Sequence, residues 1–233
     1  MIGERLTVHL FLQAFKKHVS FHSLFVCAFV FVAACQNVDS ETAVPQSRSE
    51  QIVIELGLSG TAFPAAFEKP DFVLNNVATG QPYDFRDETR GFVTLLYFGY
   101  THCPDVCPVQ LANLAAAIDQ SPGEVRRSVR VVFVGVDALR DTPDRVLNWL
   151  EFFSKDFIGL TGTEEQLLAA QEAANVPPAF VDAEFEGGYS VGHAGWILLY
   201  TQDDLTHLRY PTGVRQAAWA HDLELLVIEG WPE

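Results

Sequence analysis

The apolar positions of this chain gather into three near-continuous runs, at 92–98, 131–136 and 196–200. Runs of that length, bounded by polar or turn residues, predict strands buried on both faces of a sheet. Between them the period lengthens to that of a helix. A helix is predicted over about 106–118 after the first run. Thr142-Pro143 after the second supplies a cap and a first position for a helix reaching about residue 153. Thr163 and Gln166 fit a capping box opening a helix that runs to about 174. The turn Gln202-Asp203-Asp204 returns the chain as an antiparallel hairpin at 207–210, and a last amphipathic helix covers about 214–228. A further short strand is expected at 52–56. The order of elements predicts an α/β fold, a thioredoxin-like sandwich whose central mixed sheet is flanked by helices.

The N-terminal pattern is of another kind. Lys16 and Lys17 precede an apolar run over about 19–34, interrupted by His22 and Ser23, that ends in Val32-Ala33-Ala34-Cys35. The run falls short of the ~20 residues that cross a bilayer. It predicts an export signal over residues 1–34. V-A-A-C resembles the lipobox of bacterial lipoproteins, which implies that Cys35 is lipidated and becomes the first residue; an uncleaved anchor is the alternative. Either reading tethers the chain to a bacterial membrane and places its domain outside the cytoplasm, on the periplasmic side. Residues 35–68 are then expected to be the lipidated cysteine and a flexible tether spanning roughly 30 Å. Residues 69–233 suit one domain with a single core.

Charge narrows the partners. The net charge is −15, and loss of residues 1–34 removes Arg5, Lys16, Lys17 and Glu4, leaving −17. A surface so acidic does not bind nucleic acid by neutralising phosphates. It gains nothing from anionic lipid either, so membrane attachment falls to the anchor.

Of four cysteines, Cys27 lies in the apolar leader and Cys35 is assigned to lipid, which leaves Cys103 and Cys107. Pro108 lacks an N–H and is tolerated only in a first helical turn. The helix therefore starts near Asp105, its expected N-cap, with both sulfurs at the positive end of the macrodipole, where thiolate is favoured. Cys107, Leu111, Leu114 and Ile118 share one stripe, so Cys107 is expected to be the buried sulfur and Cys103 the exposed one. A disulfide between them is geometrically reasonable. Three chemistries stay open: a structural disulfide, a redox dithiol, and a site for a soft metal such as Cu(I). A candidate third ligand is His193, just before the third apolar run. A thioredoxin carries a cis-proline at about that place, whereas here no proline lies between Pro178 and Pro211.

The segment Y-F-G-Y-T-H-C-P-D-V-C-P at 97–108, with V-D-A-L-R-D-T-P at 136–143, G-L-T-G-T at 159–163 and the loop of His193, resembles the Sco/SenC family of copper-binding cytochrome c oxidase assembly proteins. The resemblance runs from about Lys69 to Leu226. It implies that Cys103, Cys107 and His193 bind copper, as Cu(I) with Cu(II) left open. It further implies delivery to the dinuclear copper site of cytochrome c oxidase subunit II, with other periplasmic copper carriers or thiol reductants as partners. On that reading the chain is a metallochaperone rather than an enzyme. The alternatives are a thiol–disulfide reductase, with Cys103 as nucleophile and Cys107 as resolving thiol, and a redox or copper sensor. One departure stands out: the family usually has an acidic residue before the histidine, and this chain has Gly192.

The other candidates have plainer expectations. His102 reads as a solvated neighbour of Cys103, His207 and His221 as structural or exposed. Asp137, Arg140 and Asp141 are expected to close a strand and cap the next helix. The proline and threonine spacing of peroxiredoxins is missing before Cys103, and no general base accompanies the Cys₂His set for zinc hydrolysis.

Overall fold

The computed structural model describes residues 47–232, so the leader, Cys27 and Cys35 lie outside the described residues. The chain runs α1 (Arg48–Leu56), β1 (Thr61–Glu68), β2 (Val73–Asn76), β3 (Pro82–Asp84), α2 (Phe85–Glu88), β4 (Val93–Gly99), α3 (Val106–Gln120) and α4 (Gly123–Ser128). It continues through β5 (Val129–Gly135), α5 (Pro143–Leu150), β6 (Ile158–Thr161), α6 (Glu164–Ala173), β7 (Phe180–Phe185), β8 (Gly188–Gly192), β9 (Ile197–Tyr200), β10 (Leu205–Tyr210) and α7 (Gln216–Ile228).

Among the described residues, eight strands form one mixed sheet in the order β1-β10-β9-β4-β5-β6-β2-β3. The three apolar runs are its centre. β4 and β5 pair in parallel from Val93–Val129 to Gly99–Gly135, while β9 lies antiparallel on the other side of β4. Every residue of β4 is buried. Alternate side chains therefore feed two cores. Leu95, Tyr97, Val131, Phe133 and Leu199 face α3, α5 and α7. Leu96, Phe98, Val132, Val134 and Leu198 face α6 and the β2–β3 region. This is the predicted thioredoxin-like sandwich. β7 and β8 form a separate two-stranded ribbon.

Two expectations at the N-terminal side are corrected. Residues 52–56 are helical, not a strand. Ser47 and Glu50 close a reciprocal capping box, and Gly57, at φ 65°, supplies the left-handed stop. Only Ile52 of the apolar positions is fully buried, as one face of a short helix requires. The part of the expected tether that is described, from residue 47 to residue 68, is likewise structured, as α1 and β1. β1 forms an edge of the sheet against β10, with a register shift between Ala62 and Phe67. Pro64 inside that run disguises it as a loop, and an edge strand is where proline is tolerated. Asp222, buried on α7, accepts from Ser59 N at 2.7 Å and from the Tyr210 hydroxyl at 2.9 Å, fixing the chain's entry to the sheet.

Candidate metal centre

The two cysteines sit where β4 hands over to α3. Asp105 is the N-cap, and its side chain accepts from Val106 N. Cys107 N donates to the Cys103 sulfur at 3.3 Å, so the first sulfur itself receives a free donor of the first turn. Cys107 is fully buried and Cys103 partly exposed, as the helical stripe predicts. Both thiols are free. Gly99 permits the close approach: a Cβ there would lie 2.8 Å from the Phe133 ring and 3.3 Å from the Cys107 sulfur.

His193 arrives from the other side of the sheet, between β8 and β9. Its Nε2 lies 3.6 Å from the Cys107 sulfur, and its Nδ1 is 3.0 Å from the carbonyl oxygen of Ala194. A carbonyl can only accept, so Nδ1 carries a hydrogen, and Nε2 faces the sulfurs, where it donates to a thiolate when protonated and offers its lone pair to a metal when not. The two sulfurs and a histidine nitrogen all lie within 4.8 Å of one another, a grouping that can hold a metal ion. Two thiolates with an imidazole suit soft or borderline ions such as Cu(I) and zinc.

Three polar connections hold this geometry, and none was foreseen from the sequence. The Tyr97 hydroxyl donates to the Cys107 sulfur at 3.2 Å, while Gln110 Nε2 donates to that hydroxyl at 3.0 Å and to Gly195 O at 2.8 Å. This chain ties helix α3 to the histidine loop. Gln110 falls on the same apolar stripe as Cys107, and a glutamine there was the available sign of a buried partner.

The second and third connections come from residues expected only to close a strand and cap a helix. The cap is Thr142, which accepts from Arg145 N at 3.3 Å. Asp141 instead accepts from Thr101 N at 3.0 Å and from its hydroxyl at 2.7 Å, gripping the loop that leads to Cys103. Arg140 pairs with Asp137, donates to Tyr189 O at 2.9 Å, and lies 3.5 Å over the Tyr189 ring. The Tyr189 hydroxyl donates to Asp137 at 2.8 Å. The β5–α5 loop thus clamps the cysteine loop with one residue and the histidine hairpin with its neighbours.

The electrostatics split the dithiol. Cys103 is lowered from 9.0 to about 4, chiefly by the hydrogen bond from Cys107, then by His193 and backbone N–H groups, against the opposing effect of burial. Cys107 is raised, because it holds the shared proton toward Cys103 and is itself buried. At neutral pH the pair is one thiolate and one thiol. Burial and the neighbouring sulfurs raise Tyr97 well above 10.0, so it remains a donor.

The other histidines among the described residues are placed elsewhere. His102 is exposed, with Nδ1 3.3 Å from the Thr101 hydroxyl. His207 in β10 meets Asp203 at 3.0 Å and stacks on Trp231, while half-exposed His221 meets Asp222 at 2.8 Å. At Gly192, a Cβ would lie 2.5 Å from the ring of Phe180, so an aromatic side chain fills the space above the position before the histidine.

A SCO1/SenC family model matches residues 62–227. A protein of Stutzerimonas stutzeri is 40% identical over 131 residues, covering 54% of this chain and 63% of that protein. Protein SenC of Rhodobacter capsulatus is 36% identical over 153 residues, covering 59% of this chain and 68% of its own. The match thus spans less than two thirds of the length of the first relative and just over two thirds of the second. The crystal structure of Arabidopsis thaliana ScoI with copper bound superposes with a TM-score of 0.61 at 29% identity, covering 70% of this chain and 99% of that one.

Proposed function

The chain belongs to the SCO1/SenC family, and from that premise we propose that it is a membrane-tethered, extracytoplasmic copper chaperone. Cys103, Cys107 and His193 hold the cargo, and copper passes to the dinuclear site of cytochrome c oxidase subunit II. The observation that carries the reading is the convergence of two free thiols and one imidazole nitrogen within 4.8 Å. A related protein, ScoI of A. thaliana, has been seen with copper bound.

The chemistry follows from the ligand set. Cu(I) prefers thiolate sulfur. Cys103 is already a thiolate at neutral pH, and Cys107 releases its proton as the ion binds. His193 adds a neutral donor whose tautomer the Ala194 carbonyl has set. Handover proceeds associatively: an incoming thiolate bonds to copper before an outgoing one leaves.

The tether rests on the leader at 1–34 and on V-A-A-C, with Cys35 carrying the lipid. No helix among the described residues is long and apolar enough to cross a membrane. Other periplasmic copper carriers and thiol reductants would load and reduce the dithiol.

The test is copper stoichiometry and affinity of the reduced protein, with and without His193→Ala, followed by the fluorescence of Trp196. We expect one copper per chain and weaker binding in the variant. Unchanged affinity would remove His193 from the ligand set.

One observation favours a second reading, a thiol–disulfide reductase. A partly exposed thiolate beside a buried protonated thiol supplies the attacking and resolving sulfurs of thiol–disulfide exchange, although a thiolate lowered to about 4 is a weaker nucleophile than one near neutral pH. Cys103 would attack a disulfide sulfur and expel one thiolate; Cys107 would then close a 103–107 disulfide and expel the substrate's other sulfur. That activity does not need His193, so reductase rates that survive His193→Ala beside lost copper binding would separate the two.

A further inference from the structure

The strands next to the histidine loop leave large apolar side chains in solvent. Leu139, in the loop before α5, is 84% exposed; Phe180 and Val181, at the start of β7, are 61% and 55% exposed; Leu168, on α6, is 39% exposed. With Tyr189 and Val191 of β8 these four line one cleft of about 180 Å³. Single exposed leucines need no explanation, but several around one concavity mark a surface that is covered in use.

The charge around the cleft says what covers it. Residues 156–208 contain nine acidic side chains and no lysine or arginine, whereas 47–155 carry fourteen acids against ten bases. Glu164 lines the cleft, and Asp182, Glu184 and Glu186 are exposed along and just beyond β7. Arg140, behind Tyr189, is engaged by Asp137. A second copy of this chain would set two acidic rims face to face, which like charges disfavour. An apolar anchor ringed by lysine or arginine fits instead.

We propose that this cleft docks the protein that exchanges copper with the site, through such a basic-rimmed apolar patch. The inference rests on the chaperone reading. Its physical content is continuity: β8 forms one wall of the cleft and runs directly into Gly192 and His193. The Phe180 ring, on the opposite strand, lies over Gly192. A partner seated there abuts the strand that carries the third ligand.

The test uses the copper-loaded full chain in detergent and, as probe, the copper-free soluble domain of a cytochrome c oxidase subunit II. The double variant Leu139→Ser/Val181→Ser removes two exposed apolar side chains, adds no charge and changes no ligand. We expect its second-order transfer constant to fall about tenfold, with copper affinity unchanged. Transfer by the unaltered protein should slow with added salt, since the rim steers the encounter. Phe152→Ser, at an exposed phenylalanine lining a different cavity against α3, should transfer normally. Transfer at the unaltered rate by the double variant would overturn the docking surface alone. Concentration-dependent self-association lost in that variant would overturn it in favour of a second copy. An unaltered protein that binds copper but gives none to the probe would overturn the delivery reading, and the docking surface with it.

Discussion

Binding one Cu(I) to this site should release one proton, not two. In the apo protein Cys103 is lowered to about 4 while Cys107 is raised above its ordinary 9.0. At pH 7 the first sulfur has lost its proton in all but roughly one molecule in a thousand, since three pH units separate it from its midpoint. The second sulfur keeps its proton and must shed it to ligate. The apparent Cu(I) affinity therefore rises tenfold per pH unit, about 1.36 kcal/mol, across pH 7 to 8.5. Two ordinary thiols would give a hundredfold rise over each unit of that range. Competition against a Cu(I) chelator at stepped pH measures the slope, and a weakly buffered indicator dye counts the protons directly. Repeating both in His193→Ala removes any imidazole proton from the count. A slope of two in that variant would refute the shared-proton description of the dithiol.

Four further outcomes follow from the contacts described. Because Cys103 is depressed on folding, its contribution is fully present above pH 9 and lost as pH falls toward 4, with the raised Cys107 opposing it at the alkaline end. Denaturant unfolding of the apo protein between pH 8 and pH 4.5 should therefore fall off more steeply than that of Cys103→Ser. Arg140→Ala should loosen the hairpin that places His193 and weaken copper binding by about 10–100-fold, as metal titrations would show. Ser47→Ala should cost about 1 kcal/mol in chemical denaturation by opening the α1 capping box. Gly192→Asp should lower stability because the new Cβ collides with Phe180, and adding Phe180→Ala should restore it, as thermal melts would report.

The parts of the fold that were legible in the sequence are those set by local chemistry. The central strands announced themselves as apolar runs, and Pro108 with Asp105 fixed the start of α3 and the ranking of the two sulfurs. Thr142-Pro143 and the Thr163/Gln166 box marked helix starts just as plainly. Residues 52–56 misled because an I-V-I-E-L run matches a strand until Ser47, Glu50 and Gly57 are weighed as start and stop signals. The β7–β8 ribbon was missed because its first strand is exposed throughout and interleaves Asp182 and Glu184 with its apolar positions, leaving no buried face to give a period. The clamp around the metal centre was the least readable. Asp141 and Thr101 are 40 residues apart, and Arg140 and Tyr189 are 49 apart. Each pairing exists only once the sheet has formed, so the V-D-A-L-R-D-T-P segment looked like a strand end and a helix cap.

The separation of the β7–β8 ribbon from the main sheet bears on how the centre can change state. Both sulfurs belong to one rigid body, the junction of β4 and α3, while the nitrogen rides at the end of an appendage that shares no ladder with the eight strands. The nitrogen therefore owes its place to side-chain contacts rather than to the sheet ladder: Arg140 and Asp137 hold the ribbon at Tyr189, and Gln110 holds the loop at Gly195. Loss of those few contacts would cost the site its nitrogen while the sulfur pair keeps its spacing, so the third ligand is the part of the centre that a substitution away from the metal can remove.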